Sequence, residues 1–139
     1  MKKIGLDLGS KTLGIAISDA IGLMAHGVET FRFAEGRDDE AISYVAAMAQ
    51  KEKVTKIILG FPKNMNGTIG ERGEITKQFA EKLKAATGVP VILWDERMTT
   101  MQVERVLIEA DVSRKKRKKV IDKMAATIIL QSYLDSIGM

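Results

Sequence analysis

The stretch Ile4-Gly5-Leu6-Asp7-Leu8-Gly9-Ser10-Lys11-Thr12-Leu13-Gly14-Ile15-Ala16-Ile17-Ser18 decides the fold. Period-two alternation puts Ile4, Leu6 and Leu8 on one face of a strand and Gly5, Asp7 and Gly9 on the other. A second strand repeats the pattern, with Leu13, Ile15 and Ile17 opposed to Gly14, Ala16 and Ser18. A hairpin of the two lines up a bulky face and a small face across the pair. Asp7 sits on the small face. A carboxylate in mid-strand is disfavoured by strand propensity and costly to desolvate, so it calls for a cation, a donor network or water. Either the backbone donors of the Ser10-Lys11 turn satisfy it, or it belongs to a metal or phosphate site whose other acids lie elsewhere in the chain.

Outward from the hairpin, Gly27-Val28-Glu29-Thr30-Phe31-Arg32-Phe33 alternates again and reads as a third antiparallel strand at an edge, with His26 in the turn before it and without a chemical role. A helix is expected after Gly36, with Asp38, Asp39 and Glu40 at the positive end of its dipole and Ile42, Val45, Ala46 and Ala49 on its buried face. Lys56-Ile57-Ile58-Leu59-Gly60-Phe61 is a continuous apolar run, the mark of a strand buried on both faces, central and parallel to a neighbour. The turn formers of Pro62 to Gly70 predict a mobile loop beside that strand's carboxyl end. Thr68 and Glu71 have the spacing of a capping box, and Ile75, Phe79 and Leu83 continue the next helix until Gly88 stops it.

Val91-Ile92-Leu93-Trp94 is short and apolar and runs directly into Asp95-Glu96-Arg97-Met98-Thr99-Thr100. Acids thus stand at the carboxyl end of a parallel strand, the edge at which open α/β sheets bind ligands. Thr99 with Gln102 can cap a helix whose Val103, Val106, Leu107 and Ala110 form its buried stripe. A final helix from about Lys119 to Ile137 places Asp122, Ala125, Ala126, Ile129, Leu130 and Tyr133 on one face. Asp122 is the only charge in that stripe. The two alanines beside it allow a close approach to the small face of the sheet, the face that carries Asp7.

At 139 residues the chain suits a single domain, 1–139, with room for one sheet and its helices. No apolar run approaches the roughly 20 residues of a membrane helix, and the start Met1-Lys2-Lys3 leads into a strand rather than a signal peptide, so a cytoplasmic protein without a membrane partner is expected. The absence of cysteine excludes disulfides and thiolate zinc sites, and a single histidine leaves no histidine cluster. Any metal must be held by oxygen. The net charge of +4 is mild, but Arg114-Lys115-Lys116-Arg117-Lys118-Lys119 gathers six of the 22 basic residues in one run. That run is either a phosphate-contacting patch or a solvated basic loop.

Carboxylates from Asp7, Glu96 and Asp122 brought together repel one another and need cations. Magnesium is the natural occupant, manganese fits the same oxygen site, and substrate phosphates commonly complete the shell. Two such ions about 4 Å apart can activate a water and stabilise the leaving oxygen of a phosphodiester displacement, with no histidine base required. Metal-assisted hydrolysis of nucleic acid is the simplest reaction that uses the acids, the loop and the basic run.

Gly5-Leu6-Asp7-Leu8-Gly9-Ser10-Lys11 with Gly14-Ile15-Ala16-Ile17-Ser18-Asp19, then Gly60-Phe61-Pro62-Lys63-Asn64-Met65-Asn66-Gly67, Asp95-Glu96-Arg97-Met98-Thr99-Thr100 and Asp122-Lys123-Met124-Ala125-Ala126, resemble the YqgF (RuvX) family in order and spacing, nearly end to end. The resemblance implies an RNase H-like α/β fold, a mixed five-stranded sheet with helices on both faces and the first three strands antiparallel. It implies a nuclease that matures the 5' end of the 16S ribosomal RNA precursor, or alternatively a Holliday junction resolvase acting on branched DNA. Asp7, Glu96 and Asp122 would then be the catalytic, metal-binding acids, with Asp95 in reserve and Lys11, Arg97, Thr99 and Thr100 nearby for the substrate. Beside them the basic run offers Arg114, Lys115, Lys116 and Arg117 for phosphate contact. The expected partner is RNA in preference to branched DNA, and the expected assembly a monomer or homodimer.

Two rivals come from other classes. Gly5-Leu6-Asp7-Leu8-Gly9-Ser10 also resembles the phosphate loop of the sugar-kinase and actin-like fold, but that fold needs two lobes and a second strand-Asp-Gly loop, which this chain lacks. A non-catalytic RNA-binding module for ribosome assembly would keep the fold without turnover.

Overall fold

The computed structural model describes residues 1–62 and 69–137, the side chains of residues 98–102 excepted. Its elements run β1 (Lys3–Leu8), β2 (Thr12–Ser18), β3 (Ala25–Arg32), α1 (Asp38–Lys51), β4 (Lys56–Phe61), α2 (Glu71–Thr87), β5 (Val91–Asp95), α3 (Glu96–Glu109) and α4 (Arg114–Ile137). The strands form one mixed sheet in the order β3-β2-β1-β4-β5. β1 and β3 flank β2 antiparallel, while β4 lies parallel to both β1 and β5. The edge position of β3 and the central, doubly buried position of β4 are those their alternating and continuous patterns predict.

The alternation on the hairpin divides the molecule into two cores. Ile4 and Leu6 of β1, Leu13 and Ile15 of β2 and Ile57 and Leu59 of β4 pack against Val45 of α1 and Phe79 and Leu83 of α2. On the other face Ala16 and Ile58 meet Ala126, Ile129, Leu130 and Tyr133 of α4. The two faces are unequal in depth. A β-carbon built on Gly5 would lie 2.5 Å from Leu130 Cβ and 2.8 Å from the Ala126 carbonyl oxygen, so α4 rests on the sheet at a distance only glycine permits. At Gly14 the same construction falls 3.6 Å from both Ala126 Cβ and Asp7 Cβ.

Several boundaries differ from expectation. β3 starts at Ala25, so His26 is a strand residue opposite Ile17 and not part of a turn, and the pairing skips Val28 between Gly27 and Glu29. Of the predicted loop from Pro62 to Gly70, residues 63–68, Thr68 among them, lie outside the described residues. α2 begins at Glu71 with Gly70 as N-cap, and Thr76 rather than Ile75 joins Phe79 and Leu83 in the core. Gly88, at φ +69°, ends the helix as the αL residue its position predicts.

β5 passes into α3 without a loop. Asp95, not Thr99, caps the helix, its carboxylate accepting from the Arg97 amide. Among the described residues α3 packs chiefly on α4, so its predicted stripe is only partly covered and Val106 is 63% exposed. The basic run is not a loop. Arg114 to Lys119 form the opening turns of α4, which begins five residues before Lys119; lysine and arginine are good helix formers, and their aliphatic stems tolerate a solvent-facing helix.

Because the clash at Gly5 is with α4's backbone as well as a side chain, Gly5→Ala should cost about 1–3 kcal/mol of stability. Urea unfolding is the check, with the midpoint falling and the slope unchanged.

Candidate functional site

Each acid is delivered by the device that places its element. Asp7 lies on the small face of β1 opposite Gly14, where a β-carbon would fall 3.6 Å from Asp7 Cβ. Asp122 lies one turn before Ala126, whose side chain sits over Gly14, so the descent of α4 onto the sheet carries Asp122 with it. Glu96 is the first residue of α3. Two residues earlier Trp94 fixes the end of β5 to α4, its ring edge-on to Tyr133 at 5.4 Å and its Nε1 donating to Ser132 Oγ at 3.2 Å. Gly60 on the neighbouring strand completes the seat, since a β-carbon there would fall 2.3 Å from Glu96 Oε1 and 2.5 Å from Ile129 Cδ1.

Asp7, Glu96 and Asp122 line one cavity of about 270 Å³, together with Ile121, Ala125, Ile128 and Ile129. Asp7 and Glu96 are joined by a hydrogen bond between their carboxyls. Burial, followed by the charge of Asp7 and that hydrogen bond, pushes Glu96 up to about 8. Asp7 is raised as well, chiefly by burial and further by the charge of Asp122, while the bond from Glu96 and the charge of Arg72 oppose the shift. The bond lowers Asp7 and raises Glu96, so Glu96 is the member of the pair that donates. Asp7 thus finds its partner in another acid and not in the turn, where Gly9 N bonds the Thr12 carbonyl.

As a donor set, carboxylate oxygens suit a hard divalent cation, and a pair close enough to hydrogen-bond is close enough to share an ion. Among the described residues no three acids converge on a single point as they stand. Asp7 and Glu96 are therefore the close pair, with Asp122 on the wall of the same cavity, and a cation would take the place of the Glu96 proton.

A cleft of about 780 Å³ between α3 and α4 shares Ile121 and Asp122 with the acid cavity. Arg114, Lys115, Lys118 and Lys119 line this cleft. Lys118 and Lys119 belong to the basic run read as a candidate phosphate-contacting patch, and both stand in the lining. Lys116, of the same run, stays outside the lining and bonds Ser113 Oγ through its amide. Arg117 is engaged in the corner between the helices, Nη1 donating to the Val112 carbonyl at 2.8 Å and Nε lying 3.9 Å from Glu104 Oε1. Arg97 is drawn onto Asp95, with Nη2 2.8 Å from Oδ2, so the reserve acid is occupied by a neighbouring cation. Lys11 is exposed in the hairpin turn at the carboxyl end of β1. The side chains of Thr99 and Thr100 lie outside the described residues.

One residue at the site went unpredicted. Arg72, in the first turn of α2, donates from Nη2 to the Leu8 carbonyl at 2.9 Å and acts electrostatically on both Asp7 and Glu96. A second groove, of about 710 Å³, opens from Asp7 and Asp122 between β3 and α4, and His26 and Lys123 are among its walls.

The family profile described as "RuvX: Holliday junction resolvase" matches residues 1–136. A protein of Bacillus licheniformis named "Putative pre-16S rRNA nuclease" is 58% identical over 138 residues, covering 99% of each chain. One of the same name from Listeria monocytogenes is 57% identical over 136 residues, 98% of this chain and 99% of that one. Among solved structures, RuvC of Thermus thermophilus in complex with a Holliday junction substrate superposes with a TM-score of 0.66 at 18% identity, covering all of this chain and 97% of that one. The mixed five-stranded sheet with helices on both faces is accordingly RNase H-like. Among the described residues no helix is long and apolar enough to cross a membrane.

The carboxyl pair makes stability depend on pH in a fixed direction. Glu96 holds its proton up to about 8 in the folded chain and releases it in the ordinary carboxylate range when unfolded, so the folded state binds more protons between those limits. Its contribution is fully present below the unfolded value and is lost as pH climbs towards 8. Urea midpoints in chelator should decline over that window and decline less for Glu96→Gln.

Proposed function

The chain belongs to the RuvX family, and we propose that it is a nuclease that hydrolyses phosphodiester bonds of the 16S ribosomal RNA precursor, using divalent cations held by Asp7, Glu96 and Asp122. One observation carries this reading: a half-buried carboxyl pair and a third acid line one cavity, and a cleft lined by Arg114, Lys115, Lys118 and Lys119 shares Ile121 and Asp122 with it. The acids suit cations and the cleft suits phosphates, and a polyanion laid through both presents one phosphodiester to the acids. The relatives named for the RNA precursor match this chain over nearly their whole length, which favours RNA over branched DNA. The family description keeps Holliday junction cleavage as the second reading.

In the hydrolysis a water oxygen bonds to phosphorus while the bond from phosphorus to one sugar oxygen breaks. The departing oxygen keeps the electron pair and takes up a proton, and the attacking water gives one up. When bound, magnesium or manganese supplies Lewis-acid chemistry, a more acidic water and a counter-charge for the phosphate. The chain supplies placement. Asp7 and Glu96 would hold the cation, and Asp122 faces the same cavity from α4 beside Ile121, Ile128 and Ile129. With Asp95 committed to Arg97 and to the α3 cap, the ligand set is Asp7, Glu96 and Asp122.

The test is magnesium- and manganese-dependent cleavage of a precursor RNA beside a four-way DNA junction. We expect RNA to be cut at its precursor extension and Asp7→Asn to reduce cleavage to background while binding and folding persist. Junction cleavage alone would transfer the reading to recombination, and no cleavage of either substrate would leave a binding module.

Affinity should reside mainly in the cleft. Replacing Arg114, Lys115, Lys118 and Lys119 with Gln should weaken binding to all sequences alike and flatten the salt dependence by about 0.7 to 0.9 logarithmic units per contact removed. An unchanged slope, read from titrations at several salt concentrations, would return these residues to a solvated helix face.

A further inference from the structure

We infer that Arg72 is a catalytic residue of this site: its guanidinium holds the non-bridging oxygens of the phosphate being cleaved and stabilises the charge that accumulates there. The inference rests on the nuclease reading above and adds to it a group outside the three acids and the basic cleft.

Arg72 stands where an arginine is electrostatically misplaced. It is the second residue of α2, in a first turn that otherwise carries Glu71 and Glu74, and a cation at that end of a helix opposes the dipole. No carboxylate among the described residues forms an ion pair with it to offset that cost. Its guanidinium turns instead to the carboxyl end of β1, where Nη2 donates to the carbonyl of Leu8, the residue after Asp7. From there its charge reaches both members of the carboxyl pair and favours their ionised forms. The backbone beneath it is held firmly. A β-carbon on Gly73 would come 2.6 Å from Ile69 Cγ2 and 3.2 Å from the Pro62 carbonyl oxygen, so the first turn of α2 is pressed against the end of β4.

The donor inventory gives this position its chemistry. A guanidinium has five N–H groups in a planar fork, and the Leu8 carbonyl takes one. The side chain is exposed, leaving the rest of the fork available to a ligand lying over Asp7 and Glu96. A phosphodiester there carries one negative charge. As the water oxygen bonds to phosphorus and before the sugar oxygen leaves, a second negative charge develops on the group, spread over the non-bridging oxygens. A planar, permanently charged fork matches two such oxygens better than an ammonium does. A merely structural Arg72 would tie α2 to β1 and ease repulsion between the acids, with no part in the chemical step.

Single-turnover cleavage by Arg72→Ala and Arg72→Lys, on whichever of the two substrates the wild-type protein cuts, separates these roles. Arg72→Ala should lower the chemical rate by about 100- to 1,000-fold, the cost of losing one preorganised oxyanion donor. Its substrate affinity should change little, because phosphate contacts elsewhere dominate binding. Added guanidinium ion should restore part of the rate to Arg72→Ala and none to the wild type, with Arg72→Lys intermediate. A wild-type rate in Arg72→Ala, or a loss that follows the urea midpoint and ignores guanidinium, would overturn the inference. Should Arg72→Ala fail to fold, Arg72→Gln, which keeps an amide donor for Leu8 without the charge, carries the same rescue test. A wild-type protein that cuts neither substrate would instead refute the nuclease reading itself.

Discussion

The close seating of α4 on the small face of the sheet is the constraint on which the rest of the structure depends. With Gly5 under Leu130 and Gly14 under Ala126, the helix lies at backbone contact with β1 and β2. That contact forms the second core, and it also brings Asp122 to the cavity that holds Asp7 and Glu96. Packing and chemistry are thereby the same event. A larger residue at Gly5 would lift the helix and withdraw an acid from the site, so the sheet cannot improve its burial there without losing the cluster.

The cluster opposes the fold that builds it. Burial and proximity force Glu96 to keep its proton to about 8, a sign that the native chain at neutral pH holds a carboxyl it would more readily ionise if unfolded. Two apolar residues in place of Asp7 and Glu96 would relieve that strain. The surrounding structure is arranged to sustain it: Trp94 locked on Tyr133, Gly60 open beneath Glu96, and Arg72 tied to Leu8 all hold acidic groups together against repulsion. Strain concentrated in one place and supported from several elements is the usual relation between a stable scaffold and a working site.

How much of this could be read from the sequence follows from the range of each signal. The hairpin, its two faces and the place of Asp7 were legible because period two is a local property of the chain. The burial of β4 on both sides was legible for the same reason, as was the meeting of Ala126 with a glycine-lined face. The α3 stripe misled because an amphipathic pattern states which residues seek cover and not what covers them, and α3 finds chiefly α4. The basic run looked like an interruption because its charge hid its helix propensity. Arg72 was invisible in principle: nothing within a turn of it in sequence announces Leu8, and their meeting requires β1 and α2 to be placed first. Arg97 and Arg117 show the converse, since a basic residue beside a motif may already be spent on its own fold, one on Asp95 and the other on the Val112 carbonyl.

The separation of charge explains how one short chain can hold a polyanion and also act on it. A net charge of +4 is too small to bring a nucleic acid to any particular place. What matters is that the cations of α4 stand along a cleft and the acids line a separate cavity, the two sharing Ile121 and Asp122. Phosphates that approach the acids directly meet repulsion, whereas phosphates already held in the cleft have met the cost of approach through released counterions. The remaining repulsion falls on the single phosphate over Asp7 and Glu96, and cations there convert it to attraction. Under the proposed function, binding and turnover draw on different residues, α4 for affinity and the sheet's carboxyl edge for chemistry. The two are coupled only through the helix that carries both Lys119 and Asp122.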